Sequence, residues 1–211
     1  MKDIEDLIGQ LAQEGGAVKP APHPIALSLK WMALSAAYLL VLLLVSGVRN
    51  ELVATFEHPW FAFEVALLLA VFVATSVSAA LLSFPDMYQM RRAVWMPMAV
   101  FGVFACVLFM AWRADVPPAP FPVHGVECTL AILMVALLPG AWLLYAMRKL
   151  ASTHYQSAGS IALLHAFSVG ALWLRLQENN DSIQHVLQWH YLPMIVFGIL
   201  GLWLGKLILK W

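Results

Sequence analysis

Charge is what this sequence has least of. Only 11% of its 211 residues are Asp, Glu, Lys or Arg, against about 25% in an ordinary soluble domain. Twelve basic residues match twelve acidic ones, so there is no cationic surplus to neutralise phosphates, and direct nucleic-acid binding is not expected. No long acidic or low-complexity tract suggests disorder. Cysteine is nearly absent: Cys106 falls inside an apolar run and reads as a small packing residue, Cys128 falls at a run's edge, and their different depths argue against a disulfide between them. There is no phosphate-binding glycine loop, no Gly-x-Ser-x-Gly elbow and no His-Glu-x-x-His pair, so nothing supports an enzyme.

What is abundant is apolar surface, at 62% of residues, and it is gathered into six runs. A helix needs about 20 residues to cross a bilayer. The runs Ile25–Val48, Trp60–Leu82, Val94–Trp112, Val126–Met147, Ser157–Leu174 and Tyr191–Leu209 meet that length and lack the alternation of a barrel strand. The expected fold is an all-α integral membrane protein with six transmembrane helices. No short basic leader precedes the first run, which therefore reads as a retained span.

Lys and Arg mark cytoplasmic flanks. Lys2, Lys19, Lys30, Arg91, Arg92, Arg148, Lys149, Lys206 and Lys210 fall on the side of the termini. Arg49, Arg113 and Arg175 fall on the other, together with Glu51, Glu57, Asp115, Glu127, Glu178 and Asp181. Both termini are thus expected in the cytoplasm, with Trp60, Trp112, Trp189 and Tyr191 at the membrane interfaces. Gly201-Leu202-Trp203-Leu204-Gly205 and the small residues of Ala74–Ala80 permit close helix approach. Pro97 and Pro139 should kink their runs. Ionisable groups are sparse at depth: Glu64 is placed to reach the outer interface, and mid-span His165 reads as a neutral imidazole bonded to a neighbouring helix. A small transporter or channel with Glu64 and His165 along its path is the alternative function.

The chain divides into residues 1–24, an amphipathic helix on a tether, and residues 25–211, the bundle. In Asp3–Leu11, the residues Ile4, Leu7, Ile8 and Leu11 fall at i, i+3, i+4 and i+7 and make one apolar face. Asp3 can cap this helix, Gly15-Gly16 stops it, and Lys19-Pro20-Ala21-Pro22-His23-Pro24 forms a stiff spacer. The polar face carries an acidic excess that an anionic leaflet repels. A partner protein is therefore preferred over the bundle itself or membrane lipid as its occupant, and a second copy of the chain is a further partner to consider.

The outer loops gather metal-ligand chemistry. Cys128, His124 and Glu127 open the fourth run, and His185 and His190 flank the sixth. Thiolate and imidazole suit zinc- or copper-like ions, and an exposed thiol can be oxidised, so these five residues are sensing candidates. Asp181 and His185, four apart, would share a helical face. No resident cofactor is called for; a transient metal ion is the one candidate.

This order of features resembles the NrsF-like anti-sigma factors, six-span proteins of the bacterial inner membrane. The resemblance covers most of the chain and is carried by the opening Lys2-Asp3-Ile4-Glu5-Asp6-Leu7-Ile8-Gly9-Gln10-Leu11, the proline-rich approach to the first span, Glu127-Cys128, Trp189-His190 and the closing Leu209-Lys210-Trp211. It implies an anti-sigma factor that holds an extracytoplasmic-function sigma factor at the membrane and releases it on an envelope stress such as metal or oxidant. The implied docking residues are Ile4, Leu7, Ile8 and Leu11. The resemblance also implies sensing through two outer cysteines, one at Cys128 and one in the fifth loop. Here that loop, Leu176-Gln177-Glu178-Asn179-Asn180-Asp181, has none. Sensing by Cys128 with histidines, or by another signal, stays open.

Overall fold

The computed structural model describes residues 4–15, 21–85, 90–114 and 125–210, with only the backbone of residue 91. Every regular element among them is helical. They are α1 (Ile4–Glu14), α2 (Pro24–Ser46), α3 (Leu52–Phe56), α4 (Pro59–Leu82), α5 (Arg91–Val94), α6 (Met96–Ala114), α7 (Val126–Arg148), α8 (Tyr155–Gln177), α9 (Ile183–His185), a π-helical segment Val186–Tyr191, and α10 (Leu192–Ile208). Among the described residues, six stretches are long and apolar enough to cross a membrane, the third joining α5 to α6 and the sixth running from Ile183 to Ile208.

The helix ends follow from local chemistry. The His23 ring accepts from the Ile25 N–H, and Pro24 occupies a position whose N–H would have no intrahelical partner. Gly47 ends α2 at φ +82°, a conformation in which a side chain is strained, while its own N–H returns to the Leu43 carbonyl. The third span breaks at Trp95, two residues before Pro97, which lies in the first turn of α6, where a proline is tolerated, so the interruption expected in this run falls beside its proline.

Helices α4 and α8 form the centre of the bundle, with α7 and α10 packed on α8, α6 packed on α4, and α2 packed chiefly on α4 and also on α8. Trp31, Leu82, Leu143, Met147, Leu163 and Leu209 fill the half nearer the termini. Phe61, Leu68, Phe104, Ile132, Phe167 and Leu172 fill the other half. Outward-facing residues such as Leu44 (84% exposed) and Ile199 (62%) are apolar, a surface suited to lipid and not to water. Cys106 belongs to this outward set; it is exposed on α6 and does not pack in the core as the sequence suggested.

Two close approaches depend on glycine. A Cβ on Gly201 would lie 2.6 Å from the Ser160 Cα, and Gly205 abuts Gly159, so α8 and α10 meet backbone to backbone. The Gly201–Gly205 pattern is thus used inside the bundle. Polar side chains in the interior are also paired across helices. His165, fully buried, places Nε2 3.0 Å from the Ser35 hydroxyl and Nδ1 3.3 Å from the Phe72 carbonyl, and its ring stacks on Phe72.

The last span begins eight residues before the expected Tyr191. Pro193 cannot donate to the carbonyl of Trp189 four residues back, and Thr129 Oγ1 of α7 donates to that carbonyl instead at 2.6 Å. The helix therefore widens into a π turn here without leaving that carbonyl unpaired, and it remains helical from Ile183 through a stretch whose polar side chains had suggested a loop.

Candidate functional site

The end of the bundle opposite the termini brings four potential ligand residues together. Cys128 lies in the first turn of α7, Glu178 follows the last residue of α8, His185 ends α9, and His190 lies in the π segment. In an α-helix, residues five apart point about 140° away from each other. A π turn, bonded i to i+5, brings the fifth residue back over the first. That geometry sets the His185 and His190 rings edge to face at 5.1 Å. The loop before them is turned by Asn180, whose side chain accepts from the Ser182 N–H.

The ligand atoms of Cys128, Glu178, His185 and His190 all lie within 4.8 Å of one another. Cys128 Sγ is 3.5 Å from His185 Nε2 and 3.6 Å from Glu178 Oε1, and His185 Nε2 is 3.2 Å from the same oxygen. His190 Nε2 approaches Glu178 Oε2 to 2.9 Å, yet neither atom has a hydrogen bond of proper alignment, and both histidines are buried. Burial pushes the Glu178 carboxyl up, but the two imidazoles and the Cys128 thiol beside it outweigh burial and hold it below the usual range. The result is a pocket of electron-pair donors aimed at a common point.

A charge network adjoins it, with Glu64, Arg49 and Arg175 buried and Asp181 at its exposed edge. Arg175 Nε donates to Glu64 Oε1 at 2.8 Å and its Nη1 to Asp181 Oδ1 at 2.8 Å. Arg49 grips both Asp181 oxygens, at 2.9 and 2.7 Å. The Arg175 guanidinium lies over the Phe61 ring, 4.6 Å from its centroid. Tyr191, directly after His190, donates a short hydrogen bond to Glu64. Burial raises the Asp181 carboxyl, but its bonds to Arg49 and Arg175 and their charges prevail and lower it. A cavity of about 440 Å³ opens on this network between His58, Trp60, Glu64, Val107, Arg175 and Ile183.

Several expectations are corrected here. Glu64 does not reach an interface; it is buried and paired with Arg175. Tyr191 is 6% exposed and turned into the bundle, so it is no interfacial aromatic. Asp181 precedes α9 and is held by Arg49 and Arg175, so it does not share a helical face with His185. With Glu64 held by Arg175 and His165 by Ser35, both groups offered for a transport path are committed to neighbouring helices.

The other candidate residues sort by position. Cys128, His185 and His190 are brought together, and Glu178, which was not among the sensing candidates, completes the group. Glu127 is exposed beside them, outside the group, and His124 lies outside the described residues. Ile4, Leu7, Ile8 and Leu11 line one side of α1 at 50–72% exposure, and no residue of α1 is buried.

A family model described as NrsF, negative regulator of sigma F, matches residues 11–211, so most of α1 precedes the match. The chain is also similar to the anti-sigma-F factor NrsF of Caulobacter vibrioides (strain NA1000 / CB15N). The two are 28% identical over 215 residues, spanning 98% of this chain and 99% of that protein. No solved structure matches.

Proposed function

The chain belongs to the NrsF family of negative regulators of sigma F, and from that premise we propose that it is a multi-pass inner-membrane anti-sigma factor that sequesters an extracytoplasmic-function sigma factor through α1. An envelope stress such as metal or oxidant, registered at the Cys128 end, releases it. Both termini lie in the cytoplasm in this scheme, in keeping with the nine basic residues on their side. The observation that carries the proposal is the unburied apolar face of α1. Four large aliphatic side chains stand in solvent on a helix of 11 residues. Such a helix is marginal alone in water and gains order by laying that face in a groove of a partner. Glu5 and Asp6 in its first turn disfavour an anionic leaflet as that partner.

Release must be energetically substantial. Shifting a partner from 99% to 1% bound requires about 5.5 kcal/mol of differential affinity. A surface ion pair contributes up to about 1 kcal/mol, so the switch has to involve buried packing. The contiguity of Cys128, His190, Tyr191, Glu64 and Arg175 supports a route from the sensing end into the core.

The test is co-purification of a sigma factor with the detergent-solubilised chain and with its Leu7→Asp/Leu11→Asp variant. The wild type is expected to retain sigma and the variant to lose at least nine-tenths of it. Equal retention by both would remove α1 as the docking element.

A further inference from the structure

We propose that Cys128, Glu178, His185 and His190 form a four-ligand site for one borderline divalent cation of the zinc class. This gives the sensing half of the proposed function a ligand, and it rests on that reading only for its purpose, because the site is argued from its own geometry. Four ligands arranged tetrahedrally about zinc, with bonds of about 2.0–2.3 Å, stand roughly 3.3–3.8 Å apart. The contacts at 3.5 and 3.6 Å already match this spacing, the one at 3.2 Å is within about 0.1 Å of it, and every other ligand pair lies within 4.8 Å. Closure on an ion takes side-chain movements of about an ångström, with no change of fold.

The second support is the state of the donors without an ion. His190 Nε2 is fully buried, faces Glu178 Oε2 at 2.9 Å, and makes no aligned hydrogen bond. A buried imidazole nitrogen left so costs free energy, whereas one whose lone pair meets a cation does not. The four side chains come from α7, the α8–α9 loop, α9 and the π segment, so an ion would tie α7 to the sixth span at the point where Thr129 already bonds the Trp189 carbonyl.

The donor set selects the ion class. Two imidazoles and a thiolate suit zinc and its neighbours, while a single carboxylate falls short of the six or more oxygens that calcium takes. On binding, the Cys128 thiol gives its proton to solvent and the thiolate sulfur donates to the metal. Charge closes well: a thiolate and a carboxylate neutralise a dication in a site set beside buried Arg175.

The experiment uses the full chain in detergent, purified without a polyhistidine tag, stripped with chelator and titrated with Co(II). One equivalent is expected to produce the intense visible d–d absorption of four-coordinate cobalt and a near-ultraviolet thiolate-to-cobalt band, both abolished by one equivalent of Zn(II). Cys128→Ser should lose the thiolate band, His190→Gln and Glu178→Gln should weaken Zn(II) competition at least tenfold, and Glu127→Gln should change nothing. If a variant fails to fold, the wild-type spectrum decides alone. Absence of the thiolate band in wild type, weak six-coordinate absorption, or binding unchanged by Cys128→Ser and His190→Gln would each overturn the site. No sigma factor is present, so failure here leaves the docking proposal standing, and failure of sigma capture leaves the metal site standing.

Discussion

Replacing Glu64 by Leu isolates what the buried charge network contributes. The carboxylate accepts from Arg175 and from Tyr191, and the side chains of the ion pair are only 3% and 6% exposed. Removing it leaves the guanidinium with Asp181, which Arg49 already holds by two bonds, and leaves the Tyr191 hydroxyl without its acceptor. Stripping one partner from a buried pair costs about 3–5 kcal/mol. For a chain of about 200 residues, each kcal/mol moves the midpoint by about 2–4 °C. The unfolding midpoint of Glu64→Leu in detergent should therefore fall by about 6–20 °C. The second arm is the double variant Glu64→Leu/Arg175→Leu. It removes the orphaned charge together with its partner, so it should be more stable than Glu64→Leu alone, with a non-additivity of about 1–3 kcal/mol. A single variant that loses under 1 kcal/mol, or a double variant that loses the sum of the two singles, would refute the claim that this pair is desolvated and mutually dependent.

Two further outcomes follow from the packing and the loop charges. Gly201→Leu should abolish a monodisperse, detergent-stable protein, because its Cβ would press the Ser160 Cα at 2.6 Å and the Gly159 carbonyl at 2.7 Å; Gly102→Leu, with nothing within 4 Å, should be silent in the same size-exclusion and melting assays. Asp181 has a folded-state pKa below its unfolded value, so its stabilisation is complete above about pH 4 and is lost as pH falls through the folded value. The midpoint difference between wild type and Asp181→Asn should accordingly be constant above about pH 5 and shrink below pH 4, and a difference that grows on acidification would reverse the sign assigned to those contacts.

The bundle was legible in the sequence because a bilayer imposes a length of about 20 apolar residues, and composition alone reveals runs of that kind. Side-chain partners were harder to read. Glu64 lies one turn inside the start of α4 and Arg175 just inside the end of α8, so antiparallel neighbours place them at one depth. Matching of depths was a usable signal; the local spacing rules that find i, i+4 pairs do not see across 111 residues. The metal-ligand group was legible in three of its four members. Cys128, His185 and His190 stood out by residue type, but Glu178 counted only among the acidic residues of the outer side, and the five-residue spacing of the histidines matches no α-helical face. Only the π turn, made where Pro193 leaves the Trp189 carbonyl to Thr129, brings them together. Cys106 was misplaced because α6 is apolar nearly all round, which leaves the sequence no cue to which side meets lipid.

The separation of Glu64 from Arg175 also bears on how the protein is made. A ribosome adding about 5–20 residues per second completes Arg175 about 6–22 s after Glu64. Throughout that interval α4 carries a carboxyl group whose partner Arg175 has not been made, and the α8 that will pack against it does not yet exist. The early spans are therefore expected to lodge provisionally, with Glu64 held toward the headgroups, and α4 takes its central seat only when the last third of the chain arrives. Assembly would then close from the C-terminal side, and truncation after α7 should leave α4 a poorly anchored span and a substrate for membrane quality control.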